Sequence, residues 1–150
     1  MTVLDHVGVR VTDLDRAIRF YEEMFGFEMI DRRMLTGSEN VESAAMKVGA
    51  DNLIFLLYNP VFEAPTPSID QRPDHFCLIF EPDEFEAIME RLRAGGVLDR
   101  LDCGRRPRTG ATGRSDSQYI LDPDNHLIEV KMRQPAAATA GAAPGSAARA

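Results

Sequence analysis

The stretch HVGVRVTDLDRAIRFYEEMFG (residues 6–26) joins a strand pattern to a helix pattern. In its first part Val7, Val9 and Val11 alternate with other residues, which is typical of a short strand. In its second part Asp13 or Asp15 can cap a helix that ends at Gly26. One face of that helix is apolar: Leu14, Ile18, Tyr21 and Phe25.

The same pattern returns later in the chain. A shift of 69 residues places His6 on His75 and Gly26 on Gly95, within HFCLIFEPDEFEAIMERLRAG (75–95). The second helix has its own apolar face: Phe85, Ile88, Met89 and Leu92. A shift of 74 then matches the Leu-Ile pair at 53–54 with the pair at 127–128, so the second half holds an insertion. A repeat of this length predicts two copies of one supersecondary unit.

Three strand patterns follow each helix. They are FEMIDRRML (27–35), ESAAMKVG (42–49) and NLIFLLYN (52–59), then VLDRLDC (97–103), SDSQYILD (115–122) and HLIEVKM (126–132). The sequence therefore predicts an α+β fold of two tandem βαβββ modules. We expect a single domain over 1–134, with module one at about 1–60, a proline-rich linker at about 59–73 and module two at about 74–134. Residues 135–150 lack large apolar side chains and are predicted to be a disordered tail.

Composition restricts the function. Apolar residues make up 44%, and the net charge of −7 argues against binding to nucleic acid or to an anionic membrane. No apolar run reaches the roughly 18 residues of a membrane span, and no signal peptide is visible. Two cysteines make no disulfide framework. We therefore expect a cytoplasmic protein that acts on a small molecule.

The two halves differ at one position that bears on function. Phe55 in NLIFLLYNP (52–60) becomes Glu129 in HLIEVKMRQP (126–135). A carboxylate on a buried face is costly unless it is paired, and His6 and His75 occupy equivalent places in the repeat. Glu129 is also compatible with an ordinary half-exposed strand that alternates with Ile128 and Val130. Spacing alone leaves a metal site and a solvated strand open.

The stretch HVGVRVTDLDRAIRFYEEMFGF, the DPDNHLIEV ending and the doubled βαβββ unit together resemble the vicinal oxygen chelate superfamily. That group includes glyoxalase I, extradiol dioxygenases, fosfomycin-resistance enzymes, methylmalonyl-CoA epimerase and bleomycin-binding proteins. The resemblance covers about residues 3–133. It implies a curved mixed sheet around one metal cavity, and a homodimer in which modules are sometimes exchanged.

The resemblance also implies where metal ligands lie. The four family positions fall on His6, Phe55, His75 and Glu129, and Phe55 cannot bind a metal. The remaining 2-His-1-carboxylate set predicts one divalent ion, Fe2+ first, with Mn2+ or Zn2+ as alternatives. Glyoxalase I and the epimerase carry Glu or Gln where Phe55 stands, so Phe55 counts against both and is expected to line the substrate cavity. Two further residues are not expected to be ligands: His126 as a solvated loop residue and Cys77 as a small buried one.

Other residues are candidates for substrate contact. If DPDNH is a five-residue hairpin loop, Tyr119 faces Glu129 across the strands and can serve as an acid or hydrogen-bond donor. The alternative is a core aromatic; the equivalent residue in module one is Ala45. The segment RRPRTGATG (105–113) predicts a flexible lid that brings arginines to an anionic substrate, or else a solvated loop. The candidates are Arg108 and Arg114, with Ser117 at the same opening.

Three functions from different classes fit this pattern. The first is a metal-dependent enzyme on an oxygen-chelating molecule, with dioxygenase, lyase or isomerase chemistry; yet no histidine lies between His6 and His75, where extradiol enzymes have one. The second is a fosfomycin-type resistance enzyme, a thiol transferase or epoxide hydrolase, which Tyr119 and the preceding Asp116-Ser117 resemble. It lacks the threonine expected just after His6 and the lysine ahead of the tyrosine. The third is a metal-free protein that sequesters a toxic molecule, which the retained ligands disfavour. The first is preferred.

Overall fold

The computed structural model describes residues 4–35, 40–65 and 74–134. The first module contains β1 (His6–Val11), α1 (Leu14–Phe25), β2 (Glu28–Met34), β3 (Glu42–Val48) and β4 (Asn52–Tyr58). The second contains β5 (His75–Phe80), α2 (Pro82–Ala94), a 3-10 turn (Leu98–Arg100), β6 (Arg106–Gly110), β7 (Gly113–Leu121) and β8 (Leu127–Met132). Most of the predicted linker and all of the predicted tail lie outside the described residues, so those two predictions stay predictions.

Each module forms a four-stranded mixed sheet. The strand orders are β1-β4-β3-β2 and β5-β8-β7-β6, so the two sheets have the same topology. In each sheet the first and last strands of the module pair in parallel, and the other pairings are antiparallel. The predicted α+β fold with two βαβββ modules is thus confirmed.

The first helix begins and ends where its sequence predicts. The Asp13 carboxylate accepts a hydrogen bond from the Arg16 backbone N–H, which satisfies one of the unpaired donors at the helix start. Gly26 adopts a left-handed conformation with φ of 72°, which glycine reaches without steric cost. The predicted apolar faces of both helices are buried.

The cores of the two modules join in one apolar cluster. Phe25 of α1 stacks on Phe80 of β5 with ring centroids 6.0 Å apart. The Arg91 guanidinium of α2 donates to the Met24 carbonyl at 2.8 Å. The two helices therefore pack together, and each covers one face of its own sheet.

The β7–β8 turn connects the modules through buried polar groups. Asp122 accepts hydrogen bonds from two backbone N–H groups within the turn and from the Tyr21 hydroxyl of module one at 3.1 Å. Asp124 accepts hydrogen bonds from Thr12, which precedes α1, and from Arg16 within α1. His126 lies in the turn, as predicted, and is half-buried with its ring against the Arg10 carbonyl. This turn therefore anchors one module to the other.

Two predictions for residues 97–113 are wrong. The strand predicted at 97–103 is a 3-10 turn, because Val97 packs into the core and the Arg100 guanidinium donates to the Leu121 and Asp122 carbonyls. The segment 105–113, predicted as a flexible lid or a solvated loop, instead supplies β6 and the tight turn of an antiparallel β6–β7 hairpin. Gly113, with φ of 95°, permits that turn.

In the described residues, no helix combines the length and the apolar character that a membrane crossing requires.

Candidate metal and substrate site

Strand register shows that the two modules place corresponding residues at corresponding points. His6 pairs with Leu53 and His75 with Leu127 in the parallel ladders. Two residues further on, Gly8 pairs with Phe55 and Cys77 with Glu129. Phe55 and Glu129 are therefore equivalent in space as well as in sequence, and each lies on the same sheet face as its histidine.

The second module assembles a polar group on this face. The His75 Nε2 atom lies 3.3 Å from the Glu129 Oε2 atom. Tyr119 is directly opposite Glu129 in the β7–β8 ladder, as predicted, and its hydroxyl lies 3.4 Å from His75 Nε2. The His75 and Tyr119 rings meet edge to face with centroids 5.0 Å apart. Ala45 occupies the corresponding position opposite Phe55 in module one.

The Glu129 carboxylate fits a cation. It is 6% exposed, and its Oε1 atom is buried with no hydrogen-bond partner in the described part of the chain. A buried, unpaired carboxylate oxygen beside an imidazole nitrogen is an oxygen and nitrogen donor pair of the kind that divalent metals accept. His75 and Glu129 would hold such an ion.

Cys77 lies next to this pair. Burial of its thiol and the negative charge of Glu129 raise the pKa of Cys77 to about 12, so the thiol stays protonated at neutral pH. The residue as a whole is exposed, which contradicts the expectation of a small buried residue.

His6 is not assembled with this pair in one chain. Its imidazole is 51% exposed, lies 3.5 Å from the Asp5 carboxylate, and meets the Phe55 ring edge to face at 4.9 Å. Across residues 4–35, 40–65 and 74–134, no three His, Cys, Asp or Glu side chains gather closely enough to hold a metal. One chain therefore brings together two of the three predicted ligands.

A cleft between the modules contains His6. Its volume is about 990 Å3, and Cys77 lines it together with Phe25 and Phe80. Glu129, His75 and Tyr119 do not line it. The cleft and the polar group are thus neighbouring but separate features.

Arg108 is the arginine that reaches the polar group. Its guanidinium stacks over the Tyr119 ring at 4.4 Å. It also donates to the Ser117 carbonyl at 2.7 Å, to Ser117 Oγ at 3.1 Å and to Cys103 Sγ at 3.2 Å. The sequence predicts Arg108 and Arg114 as substrate contacts without choosing between them, because only the hairpin register decides which of the two side chains turns toward Tyr119.

The neighbouring arginines have other environments. Arg105 pairs with Glu86 and Asp116, and Arg100 holds the β7–β8 turn. In the β6–β7 ladder Arg114 pairs with Thr109, next to the pair formed by Arg108 and Ser115. The pleat places it on the opposite face of β7 from Tyr119. The prediction that Arg114 binds substrate stays a prediction, and the register favours Arg108.

Serine side chains complete this region. Ser117 is fully buried beneath Arg108. Ser115, two residues earlier on the same face, has a buried hydroxyl without a hydrogen-bond partner among the described residues. The face around Glu129 therefore combines a carboxylate, an imidazole, a phenol, a guanidinium and two buried hydroxyls.

The chain belongs to the glyoxalase/bleomycin resistance protein/dioxygenase superfamily. The sequence profile of that family matches residues 3–130. The chain is 30% identical to the virulence protein STM3117 of Salmonella typhimurium over 85% of its own length and 81% of that protein. The crystal structure of STM3117 aligns with a TM-score of 0.60, covering 89% of this chain and 98% of that one.

Other relatives are enzymes by name. Lactoylglutathione lyase GLX1 of Arabidopsis thaliana is 29% identical over 87% of this chain, which spans only 44% of that longer protein. The metallothiol transferase FosB of Lysinibacillus sphaericus is 28% identical over 86% of this chain and 82% of its own length. The fosfomycin resistance protein FosX of Listeria monocytogenes, crystallised with Mn(II) and 1S,2S-dihydroxypropylphosphonic acid, has a TM-score of 0.63. At 23% identity over 87% of this chain and 92% of that one, FosX shows the shared fold alone.

Proposed function

We propose that this protein is a divalent-metal-dependent enzyme that acts on a small molecule able to chelate the metal through neighbouring oxygens. The observation that carries the proposal is a buried Glu129 oxygen, beside the His75 imidazole, that has no hydrogen-bond partner among the residues that the structure describes. His75, Glu129 and His6 would hold the ion. When bound, the metal supplies a Lewis acid that polarises the substrate's oxygens.

The third ligand, His6, comes from a second copy of the chain in this proposal. Support comes from the two modules themselves, which present equivalent sheet faces but unequal halves of a site. Module two carries two ligands that meet, and module one carries one half-exposed ligand. If module one of each copy covers module two of the other, a homodimer contains two identical three-ligand sites.

The protein's own residues have separable roles in this site. Burial, and then the Glu129 charge, raise the pKa of Tyr119, so the phenol stays protonated at neutral pH and can donate to a substrate oxygen. Arg108 supplies a positive charge over the Tyr119 ring for an anionic substrate group. Phe55 contributes an apolar wall next to His6.

Among the chemistries that this family performs, a lyase or isomerase fits these residues better than a dioxygenase. The chain has three histidines. Two are the proposed ligands, and His126 is engaged with the Arg10 carbonyl, so no histidine is left to act as a base beside the metal. Tyr119 is then the group positioned to move a proton.

A fosfomycin-type thiol transferase or epoxide hydrolase is the second candidate. It is favoured by the contact of Arg108 with Ser117 and Tyr119, which forms an anion-binding region beside the ligand pair. The FosB relative supports it as well. Incubation of the metal-loaded protein with fosfomycin and glutathione, other thiols or water distinguishes this candidate from the first, because only the second predicts consumption of the antibiotic.

Metal content after loading tests the proposal directly. We expect about one divalent ion per chain by elemental analysis of the homodimer, and none in His6→Ala or Glu129→Ala. Unfolding and refolding a mixture of the two variants should restore one ion per mixed dimer, because one of its two sites then has all three ligands. Failure of the wild type to retain any metal contradicts the proposal. Failure of the mixture alone contradicts the shared site.

A further inference from the structure

A lysine from β8 is buried against the β6–β7 hairpin. Lys131 is 2% exposed. Its Nζ atom donates to the Arg108 carbonyl at 2.9 Å and to the Gly113 carbonyl at 2.8 Å. The two acceptors lie on the two arms of the hairpin, so one ammonium group connects both arms to β8. Because a buried ammonium has lost its hydration, such partners hold it firmly in place.

The Lys131 ammonium is hydrogen-bonded to Arg108, the arginine whose side chain reaches the polar group around Glu129. The Arg108 backbone carbonyl accepts a hydrogen bond from Lys131, while the Arg108 side chain stacks on Tyr119 and donates to Ser117. Among the described strands, β6 is the edge of its sheet and pairs with β7 alone. An edge strand has only one ladder to fix it, so a second attachment at Arg108 restricts where that guanidinium can lie.

Gly110 supplies the space that this arrangement needs. A Cβ atom at Gly110 would lie 2.9 Å from Lys131 Nζ, closer than such contacts occur. The ammonium is the end of a flexible side chain, so an alanine at this position would displace the ammonium rather than the backbone. The hairpin therefore has room for the Lys131 ammonium only because residue 110 has no side chain.

We propose that Lys131 is a positioning residue that fixes Arg108 over Tyr119, and thereby sets the affinity of the site for the anionic group of its ligand. The inference rests on the proposed function, in which Arg108 binds that group. Lys131 acts through the β6 backbone and needs no contact with the ligand.

The test measures methylphosphonate binding to the manganese-loaded full-length protein by isothermal titration calorimetry. Lys131→Met and Gly110→Ala should each weaken binding roughly tenfold or more, as expected when a charge-assisted hydrogen bond is lost. Manganese affinity should change less than about twofold in both, which a general loss of structure would not allow. In Arg108→Gln, adding Lys131→Met should weaken binding no further, because the lysine acts through Arg108. Arg93→Met, which removes a positive charge from an exposed position on α2, is the control and should bind as the wild type does.

Wild-type affinity in Gly110→Ala and Lys131→Met, with weakened binding in Arg108→Gln, would overturn the positioning role and leave the proposed function intact. Wild-type affinity in Arg108→Gln would overturn the anion-binding role of Arg108 and the inference together. If Lys131→Met does not fold, Gly110→Ala decides, because it keeps the lysine and displaces only its ammonium.

Discussion

At the scale of single residues, the exchange of Phe55 for Glu129 makes the two modules unequal. Both residues occupy the same register position, one opposite Gly8 and the other opposite Cys77. Phe55 contacts the His6 ring, whereas Glu129 contacts His75. A carboxylate restored in module one would therefore lie beside His6 and give the proposed site a fourth ligand.

We accordingly expect Phe55→Glu to bind manganese more tightly than the wild type, by roughly tenfold, or about 1.4 kcal/mol. The added negative oxygen ligand is of the type that this ion prefers. A competition titration against a metal indicator measures the change. Phe55→Leu, which keeps an apolar side chain, is the control with unchanged affinity, and equal affinities in all three proteins would count against a site that includes His6.

Tyr119 allows a second prediction at this scale. Because burial raises the pKa of Tyr119, its hydroxyl donates throughout the neutral range, and Tyr119→Phe removes the donor without removing a ligand. Turnover should fall by roughly 100-fold, as for loss of a general acid, while metal content stays at the wild-type level. Steady-state kinetics with elemental analysis checks both parts. A loss of metal instead would assign Tyr119 a structural role.

At the scale of elements, α1 depends on the left-handed glycine that ends it. A Cβ at Gly26 would meet no atom within 4 Å, yet its φ of 72° is unfavourable for any residue with a side chain. Gly26→Ala should therefore reduce the free energy of unfolding by about 1 kcal/mol through backbone strain alone. Urea denaturation measures this value. Gly104→Ala, at an open position where no positive φ applies, should be close to neutral.

The elements also show why sequence patterns succeed for some segments and fail for others. Both helices and the strands around Phe55 and Glu129 have clear apolar periodicity, which depends on neighbours a few residues apart. Strand β6, RPRTG, has no such pattern and forms because β7 offers it hydrogen bonds. Its position is a property of the pairing, so the local sequence predicts only a lid or a solvated loop there.

At the scale of the whole molecule, the modules are joined by the buried Asp122–Asp124 turn. Asp124 is fully buried and accepts hydrogen bonds from Thr12 and Arg16 across the junction. Asp124→Ala should lower the free energy of unfolding by about 2–4 kcal/mol, because Thr12 and Arg16 lose a charged acceptor that is itself buried. Arg16→Ala removes one partner, which is partly exposed, and should cost less than about 1 kcal/mol. Equal costs in urea denaturation would contradict a buried anchor.

Asp122 gives the junction a dependence on pH. Burial raises the pKa of the Asp122 carboxyl above its usual 3.8, so the folded protein binds this proton more readily than the unfolded chain does. The contribution of this group to stability is therefore largest below the unfolded value and declines as pH rises through the folded one. In Asp122→Asn this decline should be absent. Measuring the free energy of unfolding against pH for both proteins, and subtracting one curve from the other, checks this. Parallel curves would exclude the effect.

The sequence by itself determined the duplicated βαβββ unit, both helices with their apolar faces, and the equivalence of Phe55 with Glu129, because these follow from periodicity and repeat spacing along the chain. The length of the β7–β8 turn also predicts that Tyr119 lies opposite Glu129. Tertiary structure alone decided that His75 meets both of them while His6 stays half-exposed near Asp5, and that Arg108 reaches Tyr119. Convergence of side chains depends on how strands pair and how sheets face each other. Those contacts join residues far apart in the chain, and no local pattern encodes them.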